Sequence, residues 1–210
     1  ELLAGDIRYV NDDGDFVTDG YIQFEIFDGT DTTDVLHKYA KAADDLNADY
    51  HYIFDEGSGA TSAEESGNGV NVTRNSASWI SSSGVGDGVA LDLNGGNTAG
   101  ASVDALTIGG EVTFSILTKF DSTDSWQTLF DFGNGNNSDN IVLKRVGTSS
   151  AIRFSVFDDS TEASIEVDGA IVNGEWALWT TSVASDGTLS IYKDGVLLVS
   201  QNVGATANTL

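Results

Sequence analysis

Short stretches in which apolar and polar residues alternate, cut at close intervals by glycine, asparagine and aspartate, leave this chain few folds to choose from. YIQFEIF (21–27), VTFSILTKF (112–120), AIRFSVF (151–157), ASIEV (163–167), ALWTTSV (177–183), TLSIYKD (188–194) and VLLVSQ (196–201) all follow that rhythm. A period of two puts one face of each segment in a core and the other toward solvent, which is the mark of a strand. Proline is absent from the 210 residues while glycine reaches 24, so turns fall to Gly, Asn and Asp, which tolerate positive φ. NDDGD (11–15), DGT (28–30), SGNG (66–69), NGG (94–96), SDG (185–187) and KDG (193–195) supply them. Many short strands between such turns predict an all-β sandwich or barrel, and Asp194-Gly195 predicts a hairpin over TLSIYKDGVLLVSQ.

One stretch departs from the rhythm. DVLHKYAKAADDLN (34–47) spaces Val35, Leu36, Tyr39, Ala42, Ala43 and Leu46 as a helix does, with Asp34 at the N-cap position. A short helix or linker is expected over 34–47, with a boundary at 34–48 that separates residues 1–33 from a domain over 49–210.

Charge narrows the partners. Thirty-three acidic residues against nine basic ones give a net charge of −24, which repels nucleic acid and anionic membranes and draws divalent cations. Solubility alone is an equally good account of such a surface. Without cysteine there is no disulfide and no zinc-thiolate site. Methionine is absent even at position 1, so the chain is expected to be a segment of a longer protein. No apolar run approaches the ~20 residues of a membrane-spanning helix, and no signal peptide opens the chain.

Five segments in order, HYIFDEGSGATSAEESGNGVNVT, GVALDLNGG, EVTFSILTKFDS, WQTLFDFGNGNNSDNIVL and NGEWALWTTSVASDGTLSIYKDGVLL, resemble laminin-G-like jelly-roll domains of the concanavalin A-like lectin and glucanase superfamily. The resemblance runs from about Tyr50 to the C-terminus and implies a two-sheet antiparallel jelly-roll sandwich. It also implies a last strand pair beyond the DGVLL hairpin. This chain stops at ATANTL instead, so that residues 1–33 fill the edge, another chain supplies the strands, or the segment is cut short of them. GDIRYVNDDGDFVTDGYIQFEIFDGTDTT is similar to the closing strands of a cadherin-like repeat, so residues 1–33 are read as that tail or as extra strands of the sandwich.

Catalysis finds little support. A glucanase on this fold would need E-x-D-x-x-E along one strand, and the nearest match, Glu166-Val167-Asp168-Gly169-Ala170-Ile171, has Ile171 where the second glutamate belongs. Only His37 and His51 exist, and no G-x-S-x-G, H-E-x-x-H or phosphate-binding loop occurs.

Oxygen-rich loops suggest calcium, which takes six to eight oxygen ligands. NDDGD fails as an EF-hand, because Gly14 in sixth place puts Tyr9 first and Gly20 twelfth, but Asp13 and Asp15 remain candidates for an inter-module ion. The stronger candidate is GNGNNSDN (133–140), which lies between Leu129–Phe132 and Ile141–Leu143 and consists wholly of Gly, Asn, Ser and Asp. The resemblance implies calcium on a rim loop here, with Asp131, Asn134 and Asp139 as ligands; a hydrogen-bonded loop of Asx turns is the alternative. For sugar recognition the candidates are Trp126 as the platform, with Asn134, Asn136, Asn137 and Asn97 as hydroxyl partners. Trp179 is expected to point inward by alternation, and the resemblance implies that Trp176 belongs to the core.

These readings converge on a non-catalytic, calcium-assisted carbohydrate-binding or adhesion module of a larger secreted or cell-surface protein, bacterial in type, that recognises a polysaccharide or glycoprotein. The alternatives are a structural spacer that self-associates through an open sheet edge, and a glucanase-type hydrolase with a degenerate motif.

Overall fold

The computed structural model describes residues 48–67, 69–81, 88–93, 100–104, 106–133, 135 and 138–205. The helix expected over 34–47 and the cadherin-like strands of 1–33 lie outside these residues. The chain divides into two compact units, Glu1–Asp104 and Ala105–Leu210. That division falls inside the span that the sequence assigns to one jelly-roll. Among the described residues every regular element is a strand, and no helix is long and apolar enough to cross a membrane.

In the first unit, β1 (Thr61–Ser62), β2 (Val72–Arg74) and β5 (Ala101–Ser102) form a small sheet, and β3 (Ser78–Ser81) pairs with β4 (Val89–Asp92). HYIF forms no strand, although its alternation invites one. Phe54 adopts φ 59°, which breaks the extended path, and the Tyr52 and Phe54 rings stack at 6.1 Å.

The second unit is a sandwich of two antiparallel four-stranded sheets. One carries β6 (Val112–Lys119), β11 (Trp176–Val183), β12 (Thr188–Lys193) and β13 (Val196–Asn202) in the order β13-β12-β11-β6. The other carries β7 (Thr128–Phe132), β8 (Ile141–Arg145), β9 (Ile152–Asp158) and β10 (Thr161–Val167) in the order β10-β9-β8-β7. The chain lays down β6, crosses to build β7 to β10 as a meander, then returns for β11 to β13. The predicted hairpin over β12 and β13 is present, with Asp194 at φ 51° and Gly195 at φ 78° in the turn. Two consecutive positive φ values are what a tight hairpin demands, and Asp-Gly supplies them cheaply.

Alternation decides which side chains meet between the sheets. Phe114 of β6 faces Phe130 and Phe132 of β7 at centroid distances of 4.8 and 5.4 Å, and Phe154 of β9 meets Phe130 edge-on at 6.5 Å. Such pairs add about 0.5–1.5 kcal/mol each beyond the area that they bury. Leu143, Ile152, Phe154, Leu189 and Ile191 are fully buried around them, and Trp179 points inward as expected. Burial of a side chain of this size stabilises by about 1.5–3 kcal/mol. The second face of β8 and β9 is also covered at Val142, Ser155 and Phe157, so IVL and SVF are buried on both sides.

Candidate functional site

Strand register assembles a polar row on the second face of the β7–β10 sheet. Thr128 pairs with Lys144, Lys144 with Arg153, and Arg153 with Glu166, so one line of side chains crosses all four strands. Arg153 spends its guanidinium on Glu166, to which Nε and Nη2 donate at 3.0 and 2.8 Å, and its Nη1 lies 3.9 Å from Glu162. Ser155 donates to the same Glu162 at 2.6 Å. Lys144 makes no ion pair among the described residues.

Trp126 roofs this row. The Lys144 ammonium lies 5.4 Å and the Arg153 guanidinium carbon 6.0 Å from its ring, yet the residue remains 49% exposed. Its backbone sits at φ 61°, in the left-handed region that a bulky residue rarely occupies. Something must hold it there. The Trp126 N–H donates to Gly147 O at 2.9 Å, and Thr128 Oγ1 donates to Trp126 O at 3.2 Å.

Beneath that turn is Arg145, 1% exposed. Its Nε donates to Gln127 Oε1 (2.8 Å), Nη1 to Ser149 O (2.7 Å), and Nη2 to Ser122 O (3.1 Å) and Asn173 Oδ1 (2.6 Å). The Phe120 ring lies 4.8 Å from the guanidinium carbon. Burial pulls its pKa below the usual arginine value, and Asp124 partly offsets that. Every one of these acceptors is formally neutral, so the guanidinium acts as a knot that draws three loops together rather than as half of an ion pair.

The oxygen-rich loop occupies the opposite end of β7. Asn140, 5% exposed, donates from Nδ2 to Asp131 Oδ1 at 2.6 Å, and its Oδ1 accepts from the Ser138 N–H at 2.6 Å. A side chain on Gly133 would collide with this amide. Asp139, at φ 56°, accepts the Asp159 N–H at 3.1 Å and so ties the loop to the β9–β10 turn. Among the described residues no three His, Cys, Asp or Glu side chains gather at metal-ligand spacing. The Asn140 amide engages one oxygen of Asp131, and Asp139 spends one oxygen on the β9–β10 turn, as the hydrogen-bonded alternative expects.

The sequence reading treats Trp126 as a neighbour of that loop; five strand residues at about 3.3 Å each, roughly 16 Å, separate the Trp126 turn from Gly133, where the loop begins. Asn134, Asn136, Asn137, Asn97, Asp13 and Asp15 lie outside the described residues. The residues that meet Trp126 are Lys144, Arg153 and Thr128, with Glu166 next in the row beyond Arg153, and the sequence reading proposed none of them as binding partners. Alternation in IVLKR and AIRFSVF could have put Lys144 and Arg153 on polar faces; only register brings them together.

Two further readings can be placed. Glu166 is engaged by Arg153, and Ile171, at the position where a hydrolase would need its second carboxylate, is buried. In the first unit the Glu64 carboxylate is a loop organiser. Burial alone would raise its pKa, but backbone N–H groups of His51, Ser66 and Gly69 and the Ser66 side chain hold it at about 2. The donor distances are 2.7 Å from His51, 2.9 Å from Ser66 and 3.1 Å from Gly69, with Gly67 N–H adding a further bond at 2.8 Å.

Three solved structures resemble this one. The chain is 11% identical to the binding domain of Paraclostridial Mosquitocidal Protein 1, with a TM-score of 0.56 over 76% of this chain and 42% of that one. It is 14% identical to the Ruminococcus gnavus IT-sialidase CBM40 bound to alpha2,3 sialyllactose (TM-score 0.42, 48% and 57% covered). It is 16% identical to domains LG4-5 of the mouse laminin alpha1 chain (TM-score 0.40, 50% and 28% covered). The chain thus spans from about a quarter to under three fifths of the lengths of these proteins. At such identities only the first likeness bears on the fold, and it bears on nothing else. No curated protein matches the sequence. A family model described as concanavalin A-like lectin/glucanases superfamily, laminin G type, matches residues 93–209. With the two four-stranded sheets inside that span, the chain belongs to the laminin-G-like branch of the concanavalin A-like lectin and glucanase superfamily.

Proposed function

We propose that the chain is a non-catalytic, extracellular carbohydrate-binding module whose platform is Trp126. One observation carries this reading: a half-exposed tryptophan is held in an unfavourable backbone conformation over a row of charged side chains, with its ring presented rather than packed away. Backbone strain of this kind costs about 1–3 kcal/mol and persists where the surroundings enforce it, and it concentrates at binding sites. An indole face suits the C–H side of a sugar ring, while Lys144, Thr128 and Glu166 offer donors and acceptors for hydroxyls.

A glycan array read with the wild type and with Trp126→Ala tests the proposal. The expected result is a set of hits that weakens at least about tenfold, or about 1.4 kcal/mol, in the variant while its melting curve stays cooperative. No hits at all, or hits that the variant retains in full, would overturn it.

The second reading, a self-associating spacer, draws on β13. Among the described residues its outer edge pairs with no strand, and Val196, Leu197 and Leu198 are exposed along it at 63%, 50% and 37%. Sedimentation would favour this reading if it showed a concentration-dependent dimer that Leu197→Lys abolishes.

A further inference from the structure

We infer that this fold is built for a saline medium: monovalent salt stabilises it, because the charges that salt screens are mostly repulsive while the contacts that hold its cations are not screened. Stability in salt and binding at Trp126 are separate properties, and neither depends on the other. The excess of acid runs through both units. Glu1–Asp104 carries 20 acidic residues against 4 basic ones, and Ala105–Leu210 carries 13 against 5. A net charge this far from zero destabilises the compact state, because like charges on one surface repel. Exposed carboxylates repel through water, where salt acts: the Debye length falls from about 10 Å at 0.1 M to about 3 Å at 1 M.

Attraction in the sandwich is arranged differently. All five of its basic side chains lie over an aromatic ring. Lys119 sits 5.6 Å from the Trp176 ring, Arg145 4.8 Å from Phe120 and Lys193 5.5 Å from Trp179. Lys144 and Arg153 share Trp126 at 5.4 and 6.0 Å. Such contacts occur about once per 70–80 residues, so a unit of this length would ordinarily hold about one or two. Neutral oxygens complete the set: every hydrogen-bond acceptor of Arg145 is uncharged, and Lys193 donates to Ala170 O at 2.9 Å. Among the described residues of this unit only Lys119 and Arg153 form ion pairs, the first with the exposed Asp121 and the second with Glu162 and Glu166. A ring or carbonyl in direct contact with a cation leaves no room for a counter-ion between them. Salt therefore weakens what opposes folding more than it weakens what favours it.

Thermal unfolding of the full chain in EDTA, with NaCl raised from about 0.05 M to about 1 M, tests this. The midpoint is expected to climb by roughly 5 °C or more, mostly below about 0.3 M, where the Debye length shortens fastest. EDTA keeps divalent ions out of the comparison, and KCl should match NaCl. Two sets of variants probe the two sides of the balance. Asp159→Asn, Asp168→Asn and Glu175→Gln together remove three exposed carboxylates, which should raise the low-salt midpoint and shrink the climb. Arg145→Met should lose as many degrees at high salt as at low, whereas Arg153→Met should lose fewer at high salt, because its ion pairs are screened. A midpoint that stays flat or falls with NaCl would overturn the inference. So would a climb that begins only above about 0.5 M, the mark of stronger apolar burial and not of screening. A triple variant that melts lower at low salt with the same climb would remove repulsion as the cause, and an Arg145→Met loss that halves at high salt would remove the unscreened anchors.

Discussion

At the Thr128 end of β7 the backbone is fixed by a buried guanidinium reaching across three loops; at the Phe132 end it is fixed by short amide and carboxylate side chains bonding to near neighbours. The first end presents a large aromatic ring, half of it to solvent. The second turns its polar atoms on itself, Asn140 to Asp131 and Ser138, Asp139 to Asp159. A loop crowded with oxygen atoms is thus the one whose described side chains bond to one another, while the end with an ordinary sequence leaves an aromatic ring exposed. Side-chain oxygens near one another in sequence bond locally, which builds turns without needing a guest.

Removing the two anchors should break the comparison in different ways. The larger effect is expected from Arg145→Met. It would leave acceptors on Ser122, Gln127, Ser149 and Asn173 without their donor, and each buried unsatisfied group costs about 1–3 kcal/mol. A loss of about 3 kcal/mol or more in urea unfolding is the expected outcome, with quenching of Trp126 fluorescence altered before the global transition. A loss under about 1 kcal/mol would mean that water replaces the guanidinium and that the knot is dispensable.

The second test is Asn140→Ala at the other end. It frees Asp131 and the Ser138 N–H, and it opens the space against Gly133. Because Asp131 is partly exposed, water recovers part of the loss, and about 1–2 kcal/mol is expected. In the wild type, chelation by EDTA at low salt tests the calcium reading: a ligand bound only by the folded state stabilises it by mass action, so a fall in melting temperature supports that reading and an unchanged melt counts against it.

Much of the sandwich was legible before any coordinates. Alternation marked β6 and β9 to β13 nearly residue for residue, Asp194-Gly195 marked its hairpin, and Trp179 was placed inward. HYIF forms no strand despite its alternation, because alternation says nothing about a residue such as Phe54 that takes a positive φ. Of the proposed site, only Trp126 is a residue that the sequence singles out. Lys144, Arg153 and Glu166 are scattered over three strands, and what makes them neighbours is register, which pairs residues across strands and leaves no trace in local composition. Arg145 was hidden for a related reason. An arginine at the end of an apolar strand reads as a solvated terminus, and its acceptors are mostly backbone carbonyls and amides from distant loops. Sequence counts the oxygens of the loop but cannot tell which of them bond to near neighbours, as Asp131 and Asp139 do.

The smallest effect separates strain from burial at position 126. Both Trp126→Ala and Trp126→Gly delete the ring, its stacking on the Lys144 and Arg153 side chains and any sugar contact, so both should lose glycan binding alike. They differ in the backbone. At φ 61° an alanine keeps the clash between Cβ and the carbonyl that disfavours left-handed residues, by about 1–2 kcal/mol, whereas glycine has no Cβ to clash. Glycine's greater freedom in the unfolded chain takes back about 0.4–1 kcal/mol. The glycine variant should therefore be the more stable of the two by about 0.5–1 kcal/mol, the reverse of their order in an ordinary strand or helix. Equilibrium unfolding of the pair resolves a difference of that size. If alanine proved equal or better, the turn would relax once the ring is gone, and the left-handed backbone would be a consequence of where the ring packs. If glycine wins by the expected margin, the strain belongs to the turn itself. Arg145 and Gly147 then enforce it whether or not a tryptophan is present, and the platform is preorganised before any sugar arrives.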